Sequence, residues 1–220
     1  MILVNGIRYC TGSLVNTTAN DYRPLFLTAN HCLTGGSDAI SAPNLSHWSF
    51  YWHYESPTCS NALPVIRSTV GATVVANNSV SDFALLQLTE NPRNANGVTP
   101  YYLGWDRSGN SGTGGVGIHH PNGDIKKVST YNVTPLSTDY LNNTVNASGN
   151  HWRVTWNAGT TEGGSSGSPL INSNRSIIGQ LHGGYASCSV QTQPDWYGKF
   201  SVSWTGGGTN ATRLTHFETY

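Results

Sequence analysis

Gly163-Gly164-Ser165-Ser166-Gly167-Ser168-Pro169-Leu170-Ile171 is the stretch on which the reading of this chain turns. A glycine-rich loop runs into a proline and two apolar residues of β character, so the serines stand at a turn that leads into a strand. A serine hydroxyl is a poor nucleophile until a base takes its proton. The oxyanion that forms on attack needs two backbone N–H donors close to that serine. Glycines around Ser166 permit the tight turn that presents them. Ser166 is therefore the candidate nucleophile, and the N–H groups of Gly164 and Ser166 are the candidate oxyanion hole. Ser165 and Ser168 are read as neighbours that the chemistry can lose.

Two other segments supply what such a serine requires. Phe26-Leu27-Thr28-Ala29-Asn30-His31-Cys32 is an apolar strand that ends in a histidine. Ser81-Asp82-Phe83-Ala84-Leu85-Leu86-Gln87-Leu88 sets an aspartate at the head of a strongly apolar strand. A histidine serves as base when a buried carboxylate fixes its tautomer and stabilises the imidazolium, which makes His31 the candidate base and Asp82 its orienting acid. The order His, Asp, Ser is that of chymotrypsin. A competing parse takes Ser165 as the centre of G-x-S-x-G, with Asp195 and His216 following as in α/β hydrolases. That motif needs a helix after the serine and βα units before it. Pro169 and Leu170-Ile171 give no helix, and no βα alternation precedes them.

Composition agrees with a β protein. Glycine occurs 25 times in 220 residues, and charged residues make up only 10% with a net charge of zero. That balance lacks the basic footprint of a nucleic-acid binder. No apolar run reaches the ~18 residues that span a bilayer, and the opening Met1-Ile2-Leu3-Val4 is too short and uncharged for a signal peptide. Strand-like segments fall at 11–15, 24–29, 48–54, 69–76, 83–88, 115–119, 125–133, 151–156, 176–182 and 197–204. Short strands between turn residues read as a sandwich or barrel. Asn210 is placed to cap a short helix through about Phe217. The four cysteines, Cys10, Cys32, Cys59 and Cys188, form no CxxC pair, so neither a zinc site nor a redox site is expected. Adjacent His119 and His120 would point to opposite faces of a strand and are read as structural. No metal and no cofactor is expected.

Taken together, these segments resemble the secreted bacterial lysyl endopeptidases, trypsin-like serine proteases that cut after lysine. The resemblance runs nearly end to end: Cys10–Asn16, Thr28–Cys32, Tyr51–Tyr54, Ser81–Phe83, Gly104–Arg107, Ile118–Pro121, Gly164–Pro169, Gly179–Gly184, Ser187–Ser189 and Ser203–Gly208. It implies an all-β, chymotrypsin-like double antiparallel β-barrel with a short C-terminal helix. Residues 1–220 would form a single protease domain, with an N-terminal barrel over about 1–100 and a C-terminal barrel over about 101–220. It implies Asp195 at the bottom of the primary specificity pocket, His182 near the triad on the substrate-pairing strand, and Gly183 and Gly184 leaving the pocket wall open. It pairs Cys10 with Cys32. Two further cysteines of the family lie in an N-terminal segment upstream of Met1 that this sequence lacks, so Cys59 and Cys188 would be free thiols; a Cys59–Cys188 bond is the alternative. The expected enzyme is an extracellular monomer acting on protein and peptide substrates, with no nucleic-acid or membrane partner. The alternatives are another P1 preference or an inactive homologue that binds. There are departures: Asn30 stands where the family commonly has histidine, and the aromatic that leans over the triad histidine has only Tyr140 as a candidate. Ser165 offers no carboxylate to a newly cut N-terminus, so no ammonium switch at the oxyanion hole is expected.

Overall fold

The computed structural model describes residues 1–34 and 44–218. Its first eight strands are β1 (Ile2–Val4), β2 (Ile7–Cys10), β3 (Ser13–Leu14), β4 (Leu25–Ala29), β5 (Ser49–Trp52), β6 (Arg67–Val70), β7 (Ala72–Asn78) and β8 (Phe83–Leu88). They form two four-stranded sheets, ordered β2-β1-β5-β6 and β3-β4-β8-β7. The remaining strands are β9 (Gly115–His119), β10 (Lys127–Tyr131), β11 (Leu136–Thr138), β12 (His151–Val154), β13 (Pro169–Asn172), β14 (Ile177–Gly184) and β15 (Asp195–Lys199). These make one seven-stranded sheet, ordered β10-β9-β13-β14-β15-β12-β11. Every pairing within the sheets is antiparallel. Among the described residues no helix is long and apolar enough to cross a membrane.

The apolar runs at 25–29 and 83–88 have a common cause. Strands β4 and β8 pair along their length, from Leu25 opposite Gln87 to Ala29 opposite Phe83, and are apolar on both faces. One face, with Phe26, Ala84 and Leu86, packs against Trp48 and Phe50. The other, with Leu25, Leu27, Phe83 and Leu85, joins Ile177, Phe200, Trp204 and Leu214 in a second core. Alternation puts successive side chains on opposite faces, so a strand with core on both sides reads as continuously apolar. The pairing also brings the end of β4, where His31 follows, beside the start of β8, where Asp82 precedes.

Three local expectations are corrected. Residues 1–10, read only for a missing signal peptide, form the β1–β2 hairpin across Asn5-Gly6, whose φ values are 50° and 79°. A two-residue turn with left-handed backbone at both central residues strongly favours Asn-Gly, so the signal stood in the sequence. The expected strand 197–204 stops at Lys199, and α2 covers Phe200–Thr205. Its buried residues Phe200, Ser203 and Trp204 carry i, i+3, i+4 spacing, which is helical. The C-terminal helix is broken: a 3-10 turn at Asn210–Thr212 and a helical turn, α3, at Thr215–Glu218 are separated by extended Arg213. Buried Leu214 there donates its N–H to the Ser203 carbonyl.

Cys10 and Cys32 form a disulfide across 22 residues of sequence, the pairing that the resemblance implied. Cys32 lies in the single helical turn α1, His31–Thr34, so the bond ties the turn carrying His31 to the end of β2. A loop of this length is worth about 3 kcal/mol in the chain-entropy picture. The double variant Cys10→Ser/Cys32→Ser is expected to lose about that much in urea unfolding, and an unchanged midpoint would refute the anchoring role. Cys59 and Cys188 are exposed and unbonded.

The lysines of the sequence are Lys126, Lys127 and Lys199. Lys126 pairs with Glu55 at 2.6 Å, and its N–H donates to the Tyr54 carbonyl. Lys127 opens β10 opposite His119. Lys199 is buried at the end of β15, with Nζ 4.3 Å from the centre of the Trp152 ring.

Candidate active site

His31 Nδ1 lies 2.8 Å from Asp82 Oδ2, and the His31 backbone N–H donates to Asp82 Oδ1 at 2.9 Å. Both carboxylate oxygens are therefore taken by one residue. The carboxylate holds the proton on Nδ1 and leaves Nε2 as the acceptor, the tautomer that a base needs. Asp82 is buried and sits at φ 56°, a left-handed conformation that aspartate tolerates better than most residues. Its carbonyl accepts from Asn30 N–H at 2.8 Å, and the Ser81 carbonyl accepts from Gln180 Nε2 at 2.6 Å. Gln180 belongs to β14, so the head of β8 is fixed from the other sheet. Asn30 accepts from Asn77 Nδ2 through its side-chain oxygen.

The Ser166 loop is fastened by its carbonyls. Asn122 N–H donates to the Gly163 carbonyl, Thr11 Oγ1 to that of Gly164, and Thr11 N–H to that of Ser166. Gly164 has φ +87°, beyond the comfortable range of an L side chain. With those carbonyls held from behind, the N–H groups of Gly164 and Ser166 have no acceptor among the described residues, which is the state required of an oxyanion hole. Gly167 packs closely against the end of β4. At φ +80° its backbone lies against Thr28, Thr11 and Ala29, and a Cβ there would collide with Thr28 Oγ1 and the Thr11 carbonyl. No hydrogen bond joins His31 Nε2 to Ser166 Oγ; in unliganded enzymes this contact is commonly long and tightens with substrate.

Asp195, fully buried at the start of β15, accepts from Trp156 Nε1 and Thr161 Oγ1, both at 2.7 Å and both on Oδ2. Oδ1 has no hydrogen-bond partner. Burial pushes its pKa up against the pull of Trp156, Thr161 and the nearby Ala186 N–H; the Ala186 group lies outside hydrogen-bond geometry. Gly184 pairs with Asp195 across β14–β15, and a Cβ there would strike Oδ1. A Cβ on Gly183 would come to 3.0 Å from Tyr140 Oη.

His182 sits in a bulge of β14 between Leu181 and Gly183, and bulges re-aim the side chain they carry. Its Nε2 comes 3.8 Å from Asp82 Oδ2. Its ring stacks on His31 at 5.6 Å and, on the other side, on Tyr140 at 3.6 Å with 4° between the planes. Tyr140 therefore lies over His182 and not directly over His31, one layer further out than expected. The ligand atoms of His31, Asp82 and His182 lie within 4.8 Å of one another, and those of His31 and Asp82 are hydrogen-bonded to each other.

Several residues here escaped sequence reading. Trp156 and Thr161 hold Asp195, Thr11 braces the loop, and His151 Nε2 meets His182 Nδ1 at 3.0 Å. Trp156, Thr161 and Thr11 lie in loops and His151 on β12, so only the fold brings them to the site. His119 and His120 do part: His119 turns to Ser165 and Ser129, and His120 to the Asp124 carbonyl.

Burial holds His119, His151 and His182 neutral, each pulled down to about 4. Unfolded, they titrate near 6.5. Between those values the unfolded chain binds more protons than the folded one, so stability is whole above about 6.5 and drains as pH falls toward 4. His119 and His151 are buried, and between them the loss is on the order of several kcal/mol. Urea midpoints are expected to fall steeply from pH 7 to pH 4.5; equal midpoints would show these rings charged in the fold.

Residues 1–198 match the family described as "Lysyl endopeptidase, C-terminal domain". The lysyl endopeptidase of Pseudomonas aeruginosa is 31% identical over 208 residues, covering 89% of this chain. The chain spans 42% of that relative's length. Among solved structures, the apo MamO protease domain from Magnetospirillum magneticum aligns with TM-score 0.54 at 16% identity, covering 91% of this chain and 90% of that one. The inactive form of the Rv3671c protease of M. tuberculosis aligns with TM-score 0.53 at 16% identity, covering 90% and 81%. At such identity these two speak for the fold, a protease-domain β architecture.

Proposed function

The chain belongs to the lysyl endopeptidase C-terminal domain family, and on that premise we propose that it is an extracellular serine endopeptidase cutting on the carboxyl side of lysine. Membership carries the trypsin-like serine protease class; lysine preference and the covalent route are this proposal's content. In it, His31 Nε2 takes the Ser166 proton as Oγ attacks the carbonyl of the P1 residue. The oxyanion lies between the N–H groups of Gly164 and Ser166, and Asp82 stabilises the imidazolium. The C–N bond breaks as His31 gives its proton to the leaving amine. A water, deprotonated by the same ring, then attacks the Ser166 ester, and collapse frees the acid and restores the hydroxyl.

The observation that carries the lysine reading is Asp195 Oδ1, a buried carboxylate oxygen without a partner beside Gly184. Buried polar atoms are rarely left unpaired, and a P1 ammonium on its four-carbon stem has the charge and reach to fill the vacancy. The test has two steps. A small phosphonate should add once to the intact mass and map to Ser166, and a peptide library should then be cut after lysine. Cleavage after apolar residues would sink the specificity; no adduct at all would sink the enzyme.

A further inference from the structure

His119 is fully buried at the end of β9, between two serines that are also buried. Its Nε2 lies 2.9 Å from Ser129 Oγ and its Nδ1 2.9 Å from Ser165 Oγ. The hydroxyls decide where the protons are. Ser129 Oγ donates to the Thr160 carbonyl at 3.0 Å. Its one proton is used there, so it accepts from His119 Nε2–H. The neutral ring then has a bare Nδ1, which accepts the Ser165 hydroxyl proton. Ser165 Oγ in turn accepts from Glu162 N–H at 3.3 Å. Each hydrogen has one place, and no charge is involved.

We propose that His119 is a positioning residue for the oxyanion hole, gripping the segment 160–165 at both ends through this uncharged relay. The proposal rests on the serine endopeptidase reading. One arm reaches the Thr160 carbonyl by way of Ser129. The other holds Ser165, the residue between the two N–H donors, Gly164 and Ser166. The loop carbonyls are fastened by Thr11 and Asn122, and the relay adds a hold on the side chain of Ser165. Where an aspartate before the nucleophile would need a cation to seat it, Ser165 is seated by a neutral ring. The oxyanion hole is then preformed by the fold. Ser165 is accordingly no bystander, which revises the expectation from sequence.

The test separates transition-state binding from ground-state binding. A peptidyl lysine aldehyde forms a hemiacetal whose oxygen occupies the oxyanion hole; a peptide ending in lysine amide binds without forming it. Ser165→Ala is expected to lower kcat and weaken the aldehyde by about ten- to hundredfold, the scale of a displaced oxyanion donor, while the amide binds as before and KM holds. His119→Phe should match it on the aldehyde, and the double variant should be no worse than His119→Phe alone, since one relay is being cut twice. His119→Asn keeps an acceptor near Nδ1 and should stay within a few-fold of the parent. If His119→Phe fails to fold, Ser165→Ala alone decides. Ser165→Ala within twofold of the parent on the aldehyde, or equal losses on both ligands, overturns the relay. A parent that forms no hemiacetal overturns the endopeptidase reading instead.

Discussion

Ser166→Ala is expected to lower kcat by roughly a millionfold and to abolish covalent labelling, the scale of losing the nucleophile in a serine protease mechanism. On the proposed mechanism the remaining turnover would come from the Gly164 and Ser166 N–H donors and from substrate binding, which the substitution leaves in place. The fold should survive, because Ser166 is held through its backbone carbonyl by Thr11 N–H, and no hydrogen bond of the hydroxyl supports the loop. Thermal melting of the variant should match the parent within a degree or two. Ser168→Ala, one turn further on, should keep most activity. The contrast with Ser165→Ala is graded: partial loss there against complete loss at Ser166. Should Ser165→Ala instead be the dead variant and Ser166→Ala retain labelling, the nucleophile and the reading of the loop would both be wrong.

Asp195→Asn should lower kcat/KM for lysyl peptides by roughly 30- to several-thousandfold. The range follows from the ~2–5 kcal/mol typical of truncating one member of a buried charge pair, at tenfold per ~1.4 kcal/mol. Asparagine can still accept from Trp156 and Thr161 with its one oxygen. It then presents an amide N–H₂ where Oδ1 stood, and an ammonium meets a donor in place of an acceptor. The lysine stem still buries its methylenes, so the loss belongs to the head group. Labelling of Ser166 by a small neutral phosphonate should change little, because such a reagent does not reach Asp195. A variant that cuts lysyl peptides as fast as the parent would remove Asp195 from the specificity pocket.

Much of the candidate site was legible because its parts are local. The glycine-rich turn before Pro169, the histidine closing an apolar strand and the aspartate opening one are short signals, and the β4–β8 pairing places the last two side by side. What stayed hidden is carried by sheet order. Trp156 and Thr161 reach Asp195, His151 reaches His182, and His119 on β9 reaches Ser165, only once the strands of the seven-stranded sheet and their loops lie together, and no spacing in sequence encodes that. Reading His119 and His120 as structural says nothing of what each ring meets, which is Ser165 and Ser129 for the first and the Asp124 carbonyl for the second. The hairpin at Asn5-Gly6 and the helix at Phe200 had readable signals, a turn dipeptide and an i, i+3, i+4 pattern. The helical spacing competes there with the β-forming character of Phe200-Ser201-Val202.

The placement of Lys126, Lys127 and Lys199 has a meaning for the life of such an enzyme. On the proposed lysine preference, the bonds after these three residues are the ones in this sequence at which one copy could cut another. To be cut, a segment must enter the cleft extended and unpaired. Lys126 is tethered to Glu55 beside a backbone bond to Tyr54, Lys127 is already committed to a ladder with β9, and Lys199 is sealed beneath Trp152. Self-digestion would therefore have to wait for unfolding, and the working lifetime of the enzyme would be set by how often its strands open, not by how often two molecules collide.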